Sequence, residues 1–321
     1  MSKEKINWGI LGCANIAKDR TIPSLLQAEN ANLYAIAGRD PERLAAFADA
    51  FHPQVTYGSY DELLADPEVD AVYLPLPNTL HMEWSIRAMK AGKHVLCEKP
   101  LGMNAAQVSR MIEVAEEQNV RLTEAFSYLH GGAVKKAHEI VDSCVLGAIK
   151  HIDVRYAFDG IRENDIRLNK AAGGGVVYDL GCYCISFIQD IYKEEPIDVH
   201  AVFGVGRESF VDENAMVSMT FSGGRTARFY AAFDSFTDSE RTIVGEKGVL
   251  SIPVRYHEYG NMSLRLTDAE GRHELKVLCT NHLIDEIRAF SDSILTGRET
   301  RPTLQASLMN ARTLDRVLGY K

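Results

Sequence analysis

Gly9-Ile10-Leu11-Gly12-Cys13-Ala14-Asn15-Ile16-Ala17 is the stretch on which the fold turns. It closes a short apolar run, Ile6 to Leu11, and opens a helix-like stretch from Asn15 to about Ala28. A strand that turns straight into a helix through small residues suits a dinucleotide. The turn must be tight, the pyrophosphate must approach the backbone, and the helix must pack closely on the strand. N–H groups at the helix start then meet the negative phosphates. Read as G-x-G-x-x-A, the loop supplies Gly12, Ala14 in place of the middle glycine, and Ala17.

The pattern continues outward from that loop. Strand-like runs at Leu33–Ala37, Val69–Leu74, His94–Cys97 and Arg121–Ala125 alternate with helix-like runs at Pro41–Phe51, Leu80–Ala91 and 104–118. Ser59-x-x-Glu62 is a capping box, Asn104 is a helix cap, and Gly92 is a left-handed helix stop. Repeated β-α units of this kind predict a parallel sheet covered on both faces. After about Ala125 strands follow one another at Ile149–Phe158, Ile197–Val205, Ala215–Phe221, Thr226–Phe233 and Arg241–Val244, with Gly223-Gly224 as a hairpin turn. Helices are expected near Ala133–Val145, Tyr183–Tyr192, Leu283–Leu295 and Leu304–Leu318. The predicted fold is α/β, an N-terminal Rossmann doubly wound parallel sheet over residues 1–125. A C-terminal α+β domain over residues 126–321 carries a large, mainly antiparallel open sheet.

Composition narrows the function. The chain has 321 residues, 46% of them hydrophobic, and a formal net charge of −9. A net acidic surface argues against nucleic acid as a partner. No apolar run is read as long enough to span a bilayer, and Met1-Ser2-Lys3-Glu4-Lys5 leads into a strand without a signal-peptide core. A cytoplasmic protein is expected. The six cysteines show no disulfide or zinc spacing. Cys182 and Cys184 form only C-x-C, and His94 and Cys97 face opposite sides of their strand. No metal is expected.

The end of the second strand, Ala37-Gly38-Arg39-Asp40, selects the cofactor. NAD(H) binders place an acidic residue there for the ribose hydroxyls. Here Gly38 leaves room and Arg39 offers a fork for a 2′-phosphate, while Asp40 caps the helix that begins at Pro41. The arrangement favours NADP(H) over NAD(H). The bland reading keeps Arg39 as a solvated loop residue.

Leu76-Pro77-Asn78-Thr79-Leu80-His81, followed by Ala91-Gly92-Lys93-His94-Val95-Leu96-Cys97-Glu98-Lys99-Pro100, resembles the glucose–fructose oxidoreductase / inositol dehydrogenase (Gfo/Idh/MocA) family. Glu124-Ala125-Phe126, Asp165-Ile166-Arg167-Leu168 and Gly173-Gly174-Gly175-Val176-Val177-Tyr178-Asp179-Leu180-Gly181-Cys182-Tyr183-Cys184 extend the likeness. It is nearest in pattern to the branch of dimeric dihydrodiol dehydrogenase and NADP-dependent D-xylose dehydrogenase. The resemblance implies hydride transfer between the nicotinamide cofactor and a sugar, polyol or related small hydroxy or carbonyl compound, in a cleft between domains, by a homodimer or higher homo-oligomer. It implies cofactor contacts at Gly12, Ala14, Asn15, Ile16, Arg39, Leu74, Asn78, His81, Glu98 and Lys99. Lys99, Arg167, Asp179 and Tyr183 would meet substrate, with Tyr183 as acid/base and Lys99 and Asp179 beside it in catalysis. A free tyrosine titrates near pH ~10 and a nearby ammonium lowers that value, so Lys99 and Tyr183 make chemical sense together. If a helix begins at Asp179, that residue shares a face with Tyr183.

Each residue also has a plainer reading. Tyr183 serves equally as a half-buried aromatic, Asp179 as a helix cap, Arg167 as a salt-bridge partner, Lys99 as a surface lysine and His81 as a helix stabiliser. The rival function is an NADP-sensing regulator of the same fold without turnover.

Overall fold

The structure, a computed structural model, describes residues 4–161, 164–257 and 259–319. Part of the N-terminal reading, Met1-Ser2-Lys3, lies outside them. The chain divides into two compact units, residues 1–130 with 281–304, and residues 131–280 with 305–321.

The first unit holds a six-stranded parallel sheet. Its strands are β1 (Ile6–Leu11), β2 (Ala31–Ala37), β3 (Val55–Tyr57), β4 (Ala71–Leu74), β5 (His94–Glu98) and β6 (Leu122–Ala125), in the order β3-β2-β1-β4-β5-β6. The order reverses between β1 and β4, the place where open α/β sheets bind ligands. β4 is buried at all four positions, as a central strand covered on both faces must be. The helices are α1 (Ile22–Leu25), α2 (Pro41–Phe51), α3 (Tyr60–Ala65), α4 (His81–Lys90) and α5 (Ala105–Glu117). Their ends follow the sequence signals. Asp40 Oδ1 caps α2, Ser59 and Glu62 form the capping box of α3, Asn104 caps α5, and Gly92 follows α4 at φ +76°. The first helix is shorter than the expected Asn15–Ala28 and contains a π turn at Ala17–Thr21. Pro23 lacks an N–H and crowds the carbonyl four residues back; a widened turn before it relieves both.

The second unit is built on an eight-stranded sheet behind α6 (Gly132–Asp142) and α7 (Cys182–Tyr192). Its strands are β7 (Ile149–Ala157), β8 (Asp198–Val205), β9 (Asp212–Thr220), β10 (Thr226–Ala232), β11 (Asp238–Gly245), β12 (Gly248–Ile252), β13 (Gly260–Asp268) and β14 (Gly271–Cys279), in the order β14-β13-β12-β11-β7-β10-β9-β8. The β7–β10 pair is parallel and every other neighbour pair antiparallel. Along β9, Ala215, Val217 and Met219 are buried while Met216, Ser218 and Thr220 are exposed. One face of the sheet is therefore core. Exposed positions on its strands carry ion pairs such as Arg155–Asp238 and Arg228–Asp153. Strands β3, β12, β13 and β14 were not expected from the sequence.

The chain then returns. Helix α8 (His282–Thr296) packs with α1, β1 and β2 of the first unit. Trp8 Nε1 donates to Ser291 Oγ at 3.2 Å, and its ring lies 5.4 Å from Phe290. The sequence reading assigned this helix to the C-terminal part. Helix α9 (Leu304–Leu318) closes the chain.

Lys170–Tyr192 is long and apolar enough to cross a bilayer by length and composition, although no such run was expected. Most of its apolar stretch is buried in the second unit, which accounts for its apolar character.

Candidate active site

In the first unit the β1 turn forms a backbone cradle. Gly12 has φ +112°, and its N–H donates to Ala37 O at 2.9 Å. A Cβ at Gly12 would lie 3.0 Å from Leu76 Cδ2 and 3.3 Å from the Tyr60 hydroxyl. Left-handed backbone and close packing together demand glycine here. Ala14 is half-buried, and Asn15 and Ile16 are exposed, so the turn is open where phosphate must approach. At the end of β2, a Cβ on Gly38 would meet Cys13 Sγ at 2.8 Å, so glycine lets that strand end close on the turn.

Arg39 is exposed, with its guanidinium 5.6 Å from the centre of the Tyr60 ring. Asp40 Oδ1 accepts from the N–H groups of Glu42 and Arg43 at 3.0 and 3.2 Å. Its carboxylate is committed to capping, which leaves the cations to face a ligand. Arg43, which the sequence reading missed, donates through Nη2 to Asn15 Oδ1 at 3.4 Å. Asp40 and Pro41 start the helix that brings it back to the turn, and that cap was the available signal. Open turn, committed carboxylate and two arginines fit a dinucleotide with an added phosphate.

The segment around Lys99 is held at several points. The Glu98 carboxylate accepts from Tyr73 Oη at 2.6 Å and from the Lys99 N–H at 3.3 Å; Tyr73 Oη accepts from Thr21 Oγ1 at 3.0 Å. Burial and the Glu98 charge push the Tyr73 phenol well above its ordinary range. The Glu124 carboxylate accepts from the Leu101 N–H at 2.9 Å. His81 is fully buried, with Nδ1 2.8 Å from Pro100 O and Nε2 2.8 Å from Leu76 O. Burial, aided by the Lys99 charge, lowers its pKa. The ring lies between two backbone carbonyls, and in its neutral form its single N–H donates to one of them, which ties the two loops together around it; cofactor contact was its expected role. Leu74 is likewise fully buried within β4, and Asn78 is half-exposed at the turn before α4. Helix α8 adds Glu286, buried, whose pKa is raised well above the usual carboxylate range by desolvation and then by the Glu98 charge.

In the second unit the glycine run sets the geometry. A Cβ at Gly174 would lie 2.4 Å from Arg167 O, and one at Gly175 2.3 Å from Asp212 Oδ1. The bare backbone lets the chain pass under Arg167, whose carbonyl accepts from the Gly175 N–H at 2.9 Å. Arg167 then pairs through Nε with Asp179 Oδ2 at 2.8 Å and through Nη1 with Asp165 Oδ2 at 3.1 Å. The Asp179 carboxylate, and next that of Asp165, raise the Arg167 pKa. Asp179 lies inside a π turn, Val177–Gly181, that runs into α7. It does not cap the helix, contrary to its plainer reading.

Tyr183 sits in the first turn of α7 and is 5% exposed. Its hydroxyl is 3.4 Å from His257 Nε2. Its ring packs against Tyr256 at 5.0 Å, Tyr156 at 5.8 Å and His257 at 5.8 Å. Behind Tyr256 lies the buried guanidinium of Arg241, 4.5 Å from that ring and 5.4 Å from Phe187. None of these surrounding residues was singled out from the sequence. They come from β7, β11, α7 and the loop after β12, with no local motif to join them. Among the described residues no group of three or more His, Cys, Asp or Glu side chains converges on one point.

Comparison with known proteins matches this organisation. Residues 6–126 match the Gfo/Idh/MocA oxidoreductase family, NAD-binding Rossmann fold, and residues 134–251 match the Gfo/Idh/MocA C-terminal domain. An NADP(+)-dependent D-xylose 1-dehydrogenase of Haloferax volcanii is 34% identical over 315 residues, 97% of this chain and 95% of that one. A trans-1,2-dihydrobenzene-1,2-diol dehydrogenase of Xenopus tropicalis is 32% identical over 247 residues, 77% and 74% of the two chains. A crystal structure of a 3-ketoreductase from Actinomadura kijaniata, in complex with NADP and TDP-benzene, superposes with a TM-score of 0.92 at 29% identity, covering 98% of this chain and 97% of that one. That reductase has also been solved with a tyrosine replaced by phenylalanine and with a lysine replaced by alanine.

Proposed function

The chain belongs to the Gfo/Idh/MocA oxidoreductase family, and on that premise we propose that it is an NADP(H)-dependent enzyme acting on CH–OH groups. The substrate is a sugar, polyol or related small hydroxy or carbonyl compound. The carrying observation for the cofactor is the end of β2. Asp40 is spent on capping, and Arg39 and Arg43 stand by the Gly12 turn. NADP in the complex of the 3-ketoreductase and in the name of the xylose dehydrogenase supports this choice.

When bound, the nicotinamide ring supplies or accepts the hydride. This chain's part is the proton. In oxidation Tyr183 Oη takes the hydroxyl proton as the C–H bond gives up its hydride; in reduction it returns that proton to the carbonyl oxygen. Lys99 is assigned the positive charge that favours the phenolate. The Glu98 and Pro100 contacts fix its backbone, with His81 as a positioning residue. Asp179 and Arg167 are assigned to substrate hydroxyls. The lysine and tyrosine replaced in the 3-ketoreductase lie as far apart in that chain as Lys99 and Tyr183 do here, which supports the pairing.

We assign cofactor binding to the first unit and substrate binding to the second, in a cytoplasmic homodimer that pairs through the eight-stranded sheet. The exposed apolar side chains Val202 and Met216 on β8 and β9 support that surface. Light scattering of the purified chain tests the dimer. Steady-state assays with NADP and an aldose and polyol panel, set against NADPH and dicarbonyls, test the activity and its direction. Tight NADPH binding without turnover in either arm would instead favour a sensor of the dinucleotide.

A further inference from the structure

Tyr60 lies beside the Gly12 turn and under Arg39. The capping box of Ser59 and Glu62 fixes it in the first turn of α3. Its ring meets Trp84 of α4 edge-on, 4.9 Å between centroids at 90°, and the residue is 5% exposed. Its hydroxyl lies 3.3 Å, and its Cζ 4.0 Å, from the point a Gly12 Cβ would occupy. The phenol thus borders the space that a side chain at residue 12 would fill, next to the turn. Among the described residues its oxygen has no hydrogen-bond partner. The ring is buried, but the hydroxyl oxygen is not among the buried polar atoms left without a partner, so it stays open to a bound molecule. The same ring carries Arg39, with its guanidinium 5.6 Å from the centroid, within cation–π range.

We propose that Tyr60 is a cofactor-recognition residue with two separable parts. The hydroxyl donates to the adenosine diphosphate portion shared by NADP(H) and NAD(H), because it points at the turn where phosphate approaches the backbone. The ring face holds the Arg39 guanidinium in place for a 2′-phosphate, lowering the entropy lost when that long exposed side chain is ordered. The inference rests on the dinucleotide reading above and adds a specificity determinant to it. A purely structural aromatic at position 60 would have no use for the hydroxyl and would leave cofactor preference untouched.

The test is direct binding of NADPH and NADH to the full chain, by nucleotide fluorescence and calorimetry, for wild type, Tyr60→Phe and Tyr60→Leu. Tyr60→Phe keeps the ring and removes the donor. Both dissociation constants are expected to rise about ten-fold, the worth of one hydrogen bond to a charged group, with the NADPH-to-NADH ratio unchanged. Tyr60→Leu also removes the ring, and NADPH is expected to lose about a further three-fold relative to NADH, as for one exposed cation–π contact. Wild-type affinity for both nucleotides in Tyr60→Phe, or a loss confined to NADPH, overturns the hydroxyl assignment. An unchanged ratio in Tyr60→Leu, with its circular dichroism and melting intact, overturns the ring assignment. If wild type binds neither nucleotide, it is the dinucleotide reading that fails.

Discussion

The Gly12 turn and the surroundings of Tyr183 solve recognition in opposite ways. At the turn, the chain offers backbone, two exposed arginines and a bare glycine, all within about one strand–turn–helix repeat. Around Tyr183, it offers buried rings and a buried guanidinium gathered from four separate elements. A phosphate is large, charged and partly solvated, so open N–H groups and exposed cations suffice. A proton is transferred over a hydrogen-bond length and needs a group whose position and ionisation are set by what encloses it. Affinity for the nucleotide should therefore reside in the first unit, and the rate of chemistry should respond most to the second.

The widest separation is expected from Tyr183→Phe, which should lower kcat by about a thousand-fold while NADPH binding stays within about three-fold of wild type. Lys99→Met should behave alike. Loss of nucleotide binding in Tyr183→Phe would break the division of labour. The converse change is Arg39→Ala. It should weaken NADPH by roughly ten- to a hundred-fold, one or two charge-assisted hydrogen bonds, and leave NADH affinity almost unchanged. Equal losses for both would remove the 2′-phosphate argument.

Two stability measurements sharpen the account of the Lys99 segment. His81→Ala deprives the Leu76 and Pro100 carbonyls of their shared ring. Urea denaturation should show a loss of about 2–3 kcal/mol, with NADPH binding weakened only through the disordered loop. Glu286→Gln should act through pH. The Glu286 carboxyl has a higher pKa folded than unfolded, through burial and then the Glu98 charge. The unfolded chain thus gives up its proton first, from about pH 4.3 upward, and wild type loses stability as pH rises through that window. The variant lacks this loss. It should match wild type near pH 4 and exceed it near pH 8, read as a shift of the urea midpoint.

The same contrast explains what the sequence disclosed. The Gly12 turn, the Asp40 cap, the Ser59–Glu62 box and the α2 boundaries are local, and each rests on backbone geometry that particular residues dictate. Arg43 escaped notice because its proximity to Asn15 exists only once α2 has folded back. His257, Tyr156, Tyr256 and Arg241 gave no signal because long-range packing alone brings them to Tyr183. Strand β14, Gly271–Cys279, was not read as a strand although Glu274 to Val277 alternate polar and apolar, because charged Arg272, Glu274 and Lys276 leave its apolar face short, Leu278 being 65% exposed. Glu98 and His81 were legible as a family likeness, yet their structural tasks, accepting from Tyr73 and stapling Pro100, were not.

The most direct measurement of the central claim is a single-turnover mix of NADPH-loaded protein with a panel of sugar-derived and dicarbonyl compounds, followed by nicotinamide absorbance. Wild type should oxidise its bound NADPH with at least one compound, and Tyr183→Phe, equally loaded, should do so about a thousand-fold more slowly. Equal rates in the two proteins would contradict the assignment of the proton to Tyr183. Full loading with no oxidation across the panel, and none of the reverse reaction with NADP and polyols, would contradict the enzyme itself.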